Sequence, residues 1–425
     1  MLAYQDLIDL DSQGRCIKVG LVGAGFMGKG ITEVLESAPG MKVVAVADID
    51  LKRAEECYRA INFDTYRVVQ DLQQAKKLTF PHQRLATSSH RLVPQLDDID
   101  MVVEATGVPE VGAEVAYLGI TNRKHVGMLN VETDATVGRY LHSLACQAGV
   151  VYTVCSGDEP AALKELCDFA RTLGFTIVAC GKGKNNPLDH QANPHTMQAL
   201  ARQKGLNPKI LTEFVDGTKT MVEMGVTANA TGLSIDRTNM HGPRVNLDQL
   251  VSVFAPVEEG GILHHTGVVD YAIGDVAPGV FVVVEHHGNL VNSTLQYLRI
   301  GEGPRYLLYR PYHLTNLEVP VSIAWAFLYH KPVLPPLPRP CTEVITIAKK
   351  DLEKGELIDS IGGFTVYGGL EKSAAAAGGS FLPIGVAEGA RVVQDIPAGS
   401  RITWDQVEVR DSLLLQLRKV QDRFG

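Results

Sequence analysis

The sequence lacks a long apolar run, a CxxC pair and a run of one charge sign. No stretch reaches the roughly 18 apolar residues of a membrane-spanning helix, so we expect no membrane partner. Seven scattered cysteines favour reduced thiols over a disulfide framework or a zinc site. A net charge of -8 offers no basic surface for nucleic acid, so we expect no such partner. The first residues lack a basic segment followed by an apolar one, which favours a cytoplasmic protein.

What is present at the start is an ordered series of nucleotide-binding features. An apolar run over Ile17–Val22 is followed at once by GAGFMG, then by helical spacing and a second strand that ends at Asp48. Strand, GxGxxG, helix, strand and acid in this order are typical of a dinucleotide site, although glycine-rich turns also occur for structural reasons. The residues expected to contact the cofactor here are Gly23, Gly25, Phe26, Met27, Gly28, Asp48 and Arg53.

The same segment leaves the choice of cofactor open. Asp48 favours the two ribose hydroxyls of NAD, whereas Lys52 and Arg53 would suit the 2′-phosphate of NADP. We therefore predict NADP or NAD.

Strands and helices continue to alternate after this motif. A strand is predicted at Met101–Glu104, a turn at Thr106 and Gly107, and a further strand before Asn130. Ligands bind at the ends of strands in such sheets, so these three residues are predicted to face the nicotinamide. The pattern predicts an α/β protein with a doubly wound parallel Rossmann sheet, followed by an α+β substrate domain.

The stretch FVDGTKTMVEMG predicts a charged face on a helix. Lys219 lies one turn from both Asp216 and Glu223, among otherwise apolar residues. We predict that Lys219 stabilises or protonates a substrate alkoxide during hydride transfer. The alternative is a solvated ion pair on a helix surface.

The segment GKGKNN predicts a second group of polar contacts, in a loop. Lys182 and Lys184 suit a phosphate or carboxylate, and Asn185 and Asn186 suit hydroxyls and carbonyls. The alternative is a solvated basic turn. We predict catalytic roles for Lys184 and Asn185 and substrate contacts for Lys182 and Asn186.

Other substrate contacts are predicted on either side of these segments. The turn before a helix contains Asp158 and Glu159, of which Asp158 is also suited to cap that helix. Further along, His241 lies in a turn, and YRPYHL contains Arg310 and His313. Arg310 is suited to bidentate contact with a phosphate or carboxylate.

The C-terminal part contains a proline-rich linker and an internal repeat. Asp351–Ile358 matches Asp395–Ile402, which predicts a small β module with approximate two-fold symmetry, closed by a strand and a short helix after Trp404. The predicted domains are 1–155 for cofactor, 156–330 for substrate with a last helix that returns to the first domain, a 331–340 linker and 341–425 for the β module.

These motifs resemble known families. The N-terminal half is similar to homoserine dehydrogenases, and DIPAGSRITWDQVEV is similar to the SAF domain, a β-clip module. With NVETDATVG, GKGKNNPLD, DGTKTMVEM and YRPYHL, the whole chain resembles the DXR-like (DRL) oxidoreductases. It departs from homoserine dehydrogenases in having Val131 after Asn130 where they have lysine, and in placing Lys219 before its acid.

The resemblance implies an NAD(P)-dependent oxidoreductase acting on CH–OH groups of a small anionic polyol or keto compound. A DXR-like reductoisomerase would use NADPH and a divalent metal, Mg²⁺ or Mn²⁺, in isoprenoid precursor biosynthesis. Asp158, Glu159, Asp189 and Glu223 are available to a metal, but no spacing indicates a site. The alternatives are a dehydrogenase without skeletal rearrangement and a non-catalytic nucleotide or carbohydrate sensor. We expect a homo-oligomer, in which the C-terminal module either covers the active site or joins subunits.

Overall fold

The computed structural model describes residues 3–423. The helices are α1 (Tyr4–Ser12), α2 (Phe26–Ser37), α3 (Leu51–Ala60), α4 (Leu72–Ala75), α5 (Pro109–Thr121), α6 (Val131–Ala148), α7 (Glu159–Thr172), α8 (Pro194–Lys204), α9 (Pro208–Asp216), α10 (Thr218–Thr231), α11 (Leu250–Val253), α12 (Asn289–Tyr297), α13 (Val319–Tyr329), α14 (Ser373–Gly378) and α15 (Leu413–Arg423). The strands are β1 (Ile17–Val22), β2 (Met41–Ala47), β3 (Tyr66–Val68), β4 (Arg84–Thr87), β5 (Met101–Glu104), β6 (His125–Met128), β7 (Tyr152–Val154), β8 (Thr176–Lys184), β9 (Val268–Ile273), β10 (Val280–Glu285), β11 (Arg305–Arg310), β12 (Thr342–Ala348), β13 (Val366–Lys372), β14 (Arg391–Val392) and β15 (Val407–Glu408). Within the described range, no helix has the length and apolar composition needed to cross a bilayer.

The chain divides into two compact units. The first contains the described residues of Met1–Ala161, Leu314–Pro335 and Ser412–Gly425, and the second contains Ala162–His313 and Pro336–Asp411.

The first unit is built on a parallel sheet with strand order β3-β4-β2-β1-β5-β6-β7. Successive residues of a strand project to opposite faces, and Val43 and Val44 accordingly belong to separate apolar cores. Burial on both faces explains the continuous apolar runs of these strands. The predicted Rossmann sheet is confirmed, and β1 and β5 have the predicted bounds.

Two later segments complete the first unit. The last helix of the predicted substrate segment, which was expected to return to the first domain, is α13, and its residue Ile323 is buried in the core that contains Val19. The final helix was predicted to close the C-terminal module, and this prediction is wrong. Instead α15 packs on α5 and α6, where Gln421 Oε1 accepts the amide N–H of Tyr140 at 3.0 Å. Its leucines are buried by this packing, because an amphipathic helix is stabilised wherever its apolar face is covered.

The second unit contains a mixed sheet with order β11-β10-β8-β9. Its strands β8 and β9 are parallel, whereas β10 runs antiparallel to β8 and β11. Helix α10 lies against β9 and also against the β12–β13 hairpin. Because apolar surface is covered on several sides, most residues of α10 are buried.

The C-terminal module has the predicted approximate two-fold symmetry. Leu352 and Ile396, at equivalent positions of the repeat, pair as an antiparallel bridge. The amide of Lys354 donates to Asp395 Oδ1, and the amide of Ala398 donates to Asp351 Oδ1, both at 2.8 Å. Each repeat acid therefore stabilises the turn of the other copy, as expected of a β-clip.

Candidate functional site

The glycine motif forms a tight turn between β1 and α2. Gly23 has a φ of +101°, which favours glycine, and a Cβ at Gly28 would lie 2.0 Å from the Gly23 carbonyl oxygen. A Cβ at Gly25 would meet nothing within 4 Å, so the approach to the start of α2 is open. Phe26 and Met27 are exposed at this helix start. The free N–H groups and positive end of the helix suit a pyrophosphate.

The carboxylate of Asp48 lies immediately after β2 and is fixed by the backbone. Its Oδ2 accepts the amide N–H of Ala24 at 2.7 Å, and its Oδ1 accepts that of Asp50 at 2.9 Å. Arg53 Nε lies 3.6 Å from Asp50 Oδ2, so this exposed cation already has a carboxylate partner. The arrangement presents negative charge at the end of β2.

At the end of β5, the structure brings the predicted residues Thr106 and Asn130 to a buried acid. Glu104 Oε1 accepts the amide N–H of Thr106 at 2.8 Å and its hydroxyl as well. Burial raises the pKa of Glu104 to about 7, although Thr106 and Asn130 lower it. Asn130 caps α6 by accepting the Thr133 amide N–H, while Gly107 is exposed with a φ of +71°. Sequence reasoning missed Glu104, whose only sign was an acid closing an apolar run.

In the second unit, the predicted loop GKGKNN begins as a strand. Lys182 and Lys184 are the last residues of β8, with relative exposures of 8% and 4%. These two lysines therefore lie neither in the predicted loop nor in a solvated basic turn, because β9 and β10 pair with β8 on its two sides. The loop starts only at Asn185, whose Oδ1 accepts from Asn186 Nδ2 at 2.9 Å.

Helices α9 and α10 place two carboxylates among lysines. Glu223 is 2% exposed and pairs with Lys182, while Asp216 is 0% exposed. Its Oδ2 lies 2.7 Å from Lys349 Nζ. A solvated surface pair therefore does not describe these acids. Lys219 is half-buried in the first turn of α10.

Lys184 is the third lysine of this group and hydrogen-bonds to the backbone. Its ammonium donates to the carbonyl oxygen of Phe214. Burial and the neighbouring Lys182 lower the pKa of Lys184 to about 8, although Glu223 and Asp216 raise it. Lys184 can therefore give up and take back a proton near neutral pH.

The register of the sheet relates Arg310 to the two lysines of β8. Arg310 is opposite Val280, and Val280 is opposite Lys182 on its other side. Opposed residues project to the same face, so Arg310 and Lys182 share one face of the sheet. Arg310 Nη1 lies 3.2 Å from Glu165 Oε2, and its guanidinium lies over the ring of Tyr312.

The other predicted substrate contacts have different surroundings. Asp236 Oδ2 lies 2.7 Å from His241 Nε2 and 3.0 Å from His264 Nδ1. His241 therefore belongs to a cluster of histidines around one carboxylate. Asp158 and Glu159, at the start of α7, belong to the first unit, whereas His313 ends a segment of the second. Their roles stay predictions.

Two of the acids predicted to be available to a metal have other partners among the described residues. Glu223 is engaged by Lys182, and Asp189 Oδ1 accepts the amide N–H of Gln191. The predicted metal requirement stays a prediction.

Comparison with known families agrees with this organisation. Residues 157–319 match "Oxidoreductase DRL, catalytic domain", residues 18–112 match "3-hydroxyacyl-CoA dehydrogenase, NAD binding domain", and residues 344–408 match "SAF domain". The predicted resemblance to DRL-type oxidoreductases is thereby confirmed, as matches to an NAD-binding domain, a DRL catalytic domain and a SAF domain.

Individual relatives are distant. A homoserine dehydrogenase from Synechocystis sp. is 27% identical over 134 residues, which is 32% of this chain and only 28% of that enzyme's length. A probable dehydrogenase from Thermotoga maritima has a TM-score of 0.44 at 11% identity, covering 74% of this chain and 90% of its own. A myo-inositol dehydrogenase from Lactobacillus casei, in complex with NAD(H) and myo-inositol, has a TM-score of 0.36 at 16% identity, with coverages of 69% and 74%.

Proposed function

We propose that the protein is an NAD(H)-preferring dehydrogenase that interconverts a hydroxyl and a carbonyl group on a small anionic substrate. The observation that carries this proposal is the buried lysine group of Lys182 and Lys184 at the end of β8. Only one of these two lysines is paired with a carboxylate in the described contacts, since Lys184 donates to a neutral carbonyl. The two nearby carboxylates, Glu223 and Asp216, form ion pairs with Lys182 and Lys349, so an anionic ligand beside these buried lysines would add favourable negative charge.

The proposed chemistry divides between protein and cofactor. The nicotinamide, when bound, takes or gives the hydride. Lys184 holds or releases the hydroxyl proton, because its pKa of about 8 lets it act as acid or base. Lys219 stabilises the negative charge that develops on the substrate oxygen. Lys182, oriented by Glu223, and Arg310 hold the anionic group of the substrate.

The preference for NAD(H) is inferred from Asp48. Its carboxylate is fixed by two backbone amides at the end of β2, where a ribose hydroxyl pair would find an acceptor. A 2′-phosphate would meet the same negative charge, and Arg53 is engaged by Asp50. Like charges in such proximity cost several kcal/mol, which favours NAD over NADP.

Asp48→Asn should shift the cofactor preference. The asparagine keeps an oxygen for the Ala24 amide but removes the charge, so we expect kcat/KM for NADP relative to NAD to rise about 100-fold. The measurement is steady-state kinetics with each cofactor. Asp64→Asn, at an exposed position, is the matched control. An unchanged ratio in Asp48→Asn would remove this carboxylate from cofactor selection.

The pH dependence of kcat should reflect the titration of Lys184. With a pKa of about 8, the neutral amine needed for alcohol oxidation accumulates as pH rises, so kcat for oxidation should increase through pH 8 and then level off. For carbonyl reduction, which needs the ammonium, kcat should fall above the same pH. Lys184→Arg should abolish this limb because arginine does not deprotonate, whereas the exposed Lys209→Arg should keep it. A limb that survives in Lys184→Arg belongs to another group.

The experiment that tests the proposed function is a substrate screen that follows nicotinamide absorbance. Small polyols, hydroxy acids and their phosphates would be offered with NAD and NADP, in Mg²⁺, Mn²⁺ or chelator. We expect turnover with anionic members of the set. Carbon-13 tracing of the product would distinguish a simple dehydrogenase from a reductoisomerase, since only the latter rearranges the skeleton. Binding of sugars or nucleotides without any turnover would instead favour a sensor.

A further inference from the structure

Lys349, directly after β12 in the C-terminal module, is almost completely buried. Its ammonium donates to the carbonyl oxygens of Ala192 at 2.8 Å and Gly363 at 2.9 Å, and it lies 2.7 Å from Asp216 Oδ2. Burying a lysine is costly unless it is paired and hydrogen-bonded, so a site of this kind is specifically built. Its carboxylate partner, Asp216, is the last residue of α9 and lies just before α10, the helix that contains Lys219.

Asp216 connects this lysine to the start of α10. Its Oδ1 accepts the amide N–H of Thr218, the first residue of α10, at 2.8 Å. Gly217 between them has a φ of +94°, so the chain turns sharply at this point. Asp216 therefore fixes the direction in which α10 begins, and Lys219 is the next residue along it.

The C-terminal module supports the same helix through its backbone. The amide of Gly368, in β13, donates to Thr218 Oγ1 at 2.8 Å. Further along α10, a Cβ at Gly225 would lie 3.1 Å from side-chain atoms of both Leu370 and Val344, so helix and hairpin are in close contact. The module thus holds α10 along its length.

Other titratable groups also surround Asp216. Lys184 from β8 and Tyr367 from β13 interact electrostatically with it, and His190 Nδ1 lies 2.7 Å from its backbone oxygen. The ring of His190 stacks on that of Tyr367 at 4.4 Å. Among these neighbours, Lys349 forms the direct ion pair with the carboxylate, so it competes with Lys184 for this acid.

We propose that Lys349 is a positioning residue for the candidate catalytic helix, because its ion pair with Asp216 links the SAF module to α10, fixes the first turn of that helix and leaves Lys184 available to the substrate. The SAF module is then an integral part of the substrate-binding unit. The kinetic consequences rest on the proposed function, whereas the effect on α10 does not.

The test compares Lys349→Met, Lys349→Arg and the control Lys350→Met. Lys350 is the next residue, its side chain is half exposed, and it pairs with Glu356. Hydrogen–deuterium exchange of residues 214–225 should become about 100-fold faster in Lys349→Met, because removing one partner of a buried pair leaves the other uncompensated. Lys349→Arg should be intermediate, and Lys350→Met should match the wild type.

A double variant separates this role from simple support of the two carbonyl groups. In Lys349→Met with Asp216→Asn, the buried charge is gone while the asparagine oxygen can still accept the Thr218 amide. We expect exchange to return to within about tenfold of the wild type. Exchange as fast in the double variant as in Lys349→Met would overturn the proposal. If Lys349→Met fails to fold, the same comparison holds with folding as the measurement, since the double variant should recover it.

The dependence of kcat on pH is a measurement that would not change if Lys349 only supported the structure. Burial raises the pKa of Asp216, and Lys349 offsets this effect. Protonation of Asp216 should lower kcat at low pH, and this acid limb should lie at higher pH in Lys349→Met, where the carboxylate binds a proton more readily, but not in Lys350→Met. Absence of turnover in the wild type would defeat the proposed function but leave the exchange result decisive. Unchanged exchange and an unchanged limb in a folded Lys349→Met would defeat this inference alone.

Discussion

Replacing Lys219 with methionine should lower kcat by about 10²- to 10⁴-fold, the range expected for loss of a group that stabilises or protonates the reacting oxygen. Methionine keeps most of the length and apolar contacts of the side chain but not the charge. NAD affinity should not change, because the glycine motif and Asp48 of the first unit are untouched. Steady-state kinetics and calorimetric titration with NAD measure the two effects separately.

The matched control for this variant is Lys209→Met. Lys209 is exposed on α9, ten residues before Lys219, and its ammonium donates to Ser360 Oγ at 2.9 Å. We expect wild-type turnover from this variant. If Lys219→Met also retained wild-type turnover, Lys219 would have no part in the chemistry, and Lys184 would become the principal candidate for charge stabilisation.

Two alanine substitutions in the glycine motif should impair NAD binding by different mechanisms. A Cβ at Gly28 would lie 2.0 Å from a backbone oxygen that cannot move freely, so Gly28→Ala should destabilise the protein by about 1–3 kcal/mol and distort the loop. A Cβ at Gly25 meets open space, so Gly25→Ala should keep wild-type stability. It should still weaken NAD binding about tenfold or more, since the added methyl occupies the path of the pyrophosphate.

Urea denaturation and NAD titration distinguish these mechanisms. Gly378→Ala is the control, because a Cβ there also meets nothing within 4 Å and the residue lies in α14, away from the motif. It should affect neither measurement. Gly25→Ala with normal NAD affinity would show that the cofactor does not approach the start of α2.

The parts of the fold that follow from local pattern were predictable. β5 and α13 could be placed because a buried parallel strand and a helix that is apolar nearly all round have distinctive sequences. The end of β8 could not, because glycine and lysine are poor strand formers and pairing with β9 and β10 overrides that preference.

The candidate site shows the same limit. Sequence spacing identified four candidate site residues, Lys182, Lys184, Asp216 and Glu223. It did not identify the residues with which they pair. Lys349 lies 133 residues from Asp216 (349 minus 216), and in the sequence it is one of two adjacent lysines before an acid, typical of a solvated surface. Contacts at this separation leave no periodic trace, so only the folded chain reveals which lysine neutralises which acid.

The attachment of α15 to α5 and α6 has a consequence for folding during synthesis. Residue 161 is synthesised long before the helix that covers α6, which is complete only at residue 423, about 260 residues later. At about 5–20 residues per second, this delay lasts tens of seconds. Throughout that time the nascent chain exposes the apolar surface of α5 and α6 that Leu414, Leu415 and Leu417 later bury, which makes it a suitable client for a chaperone.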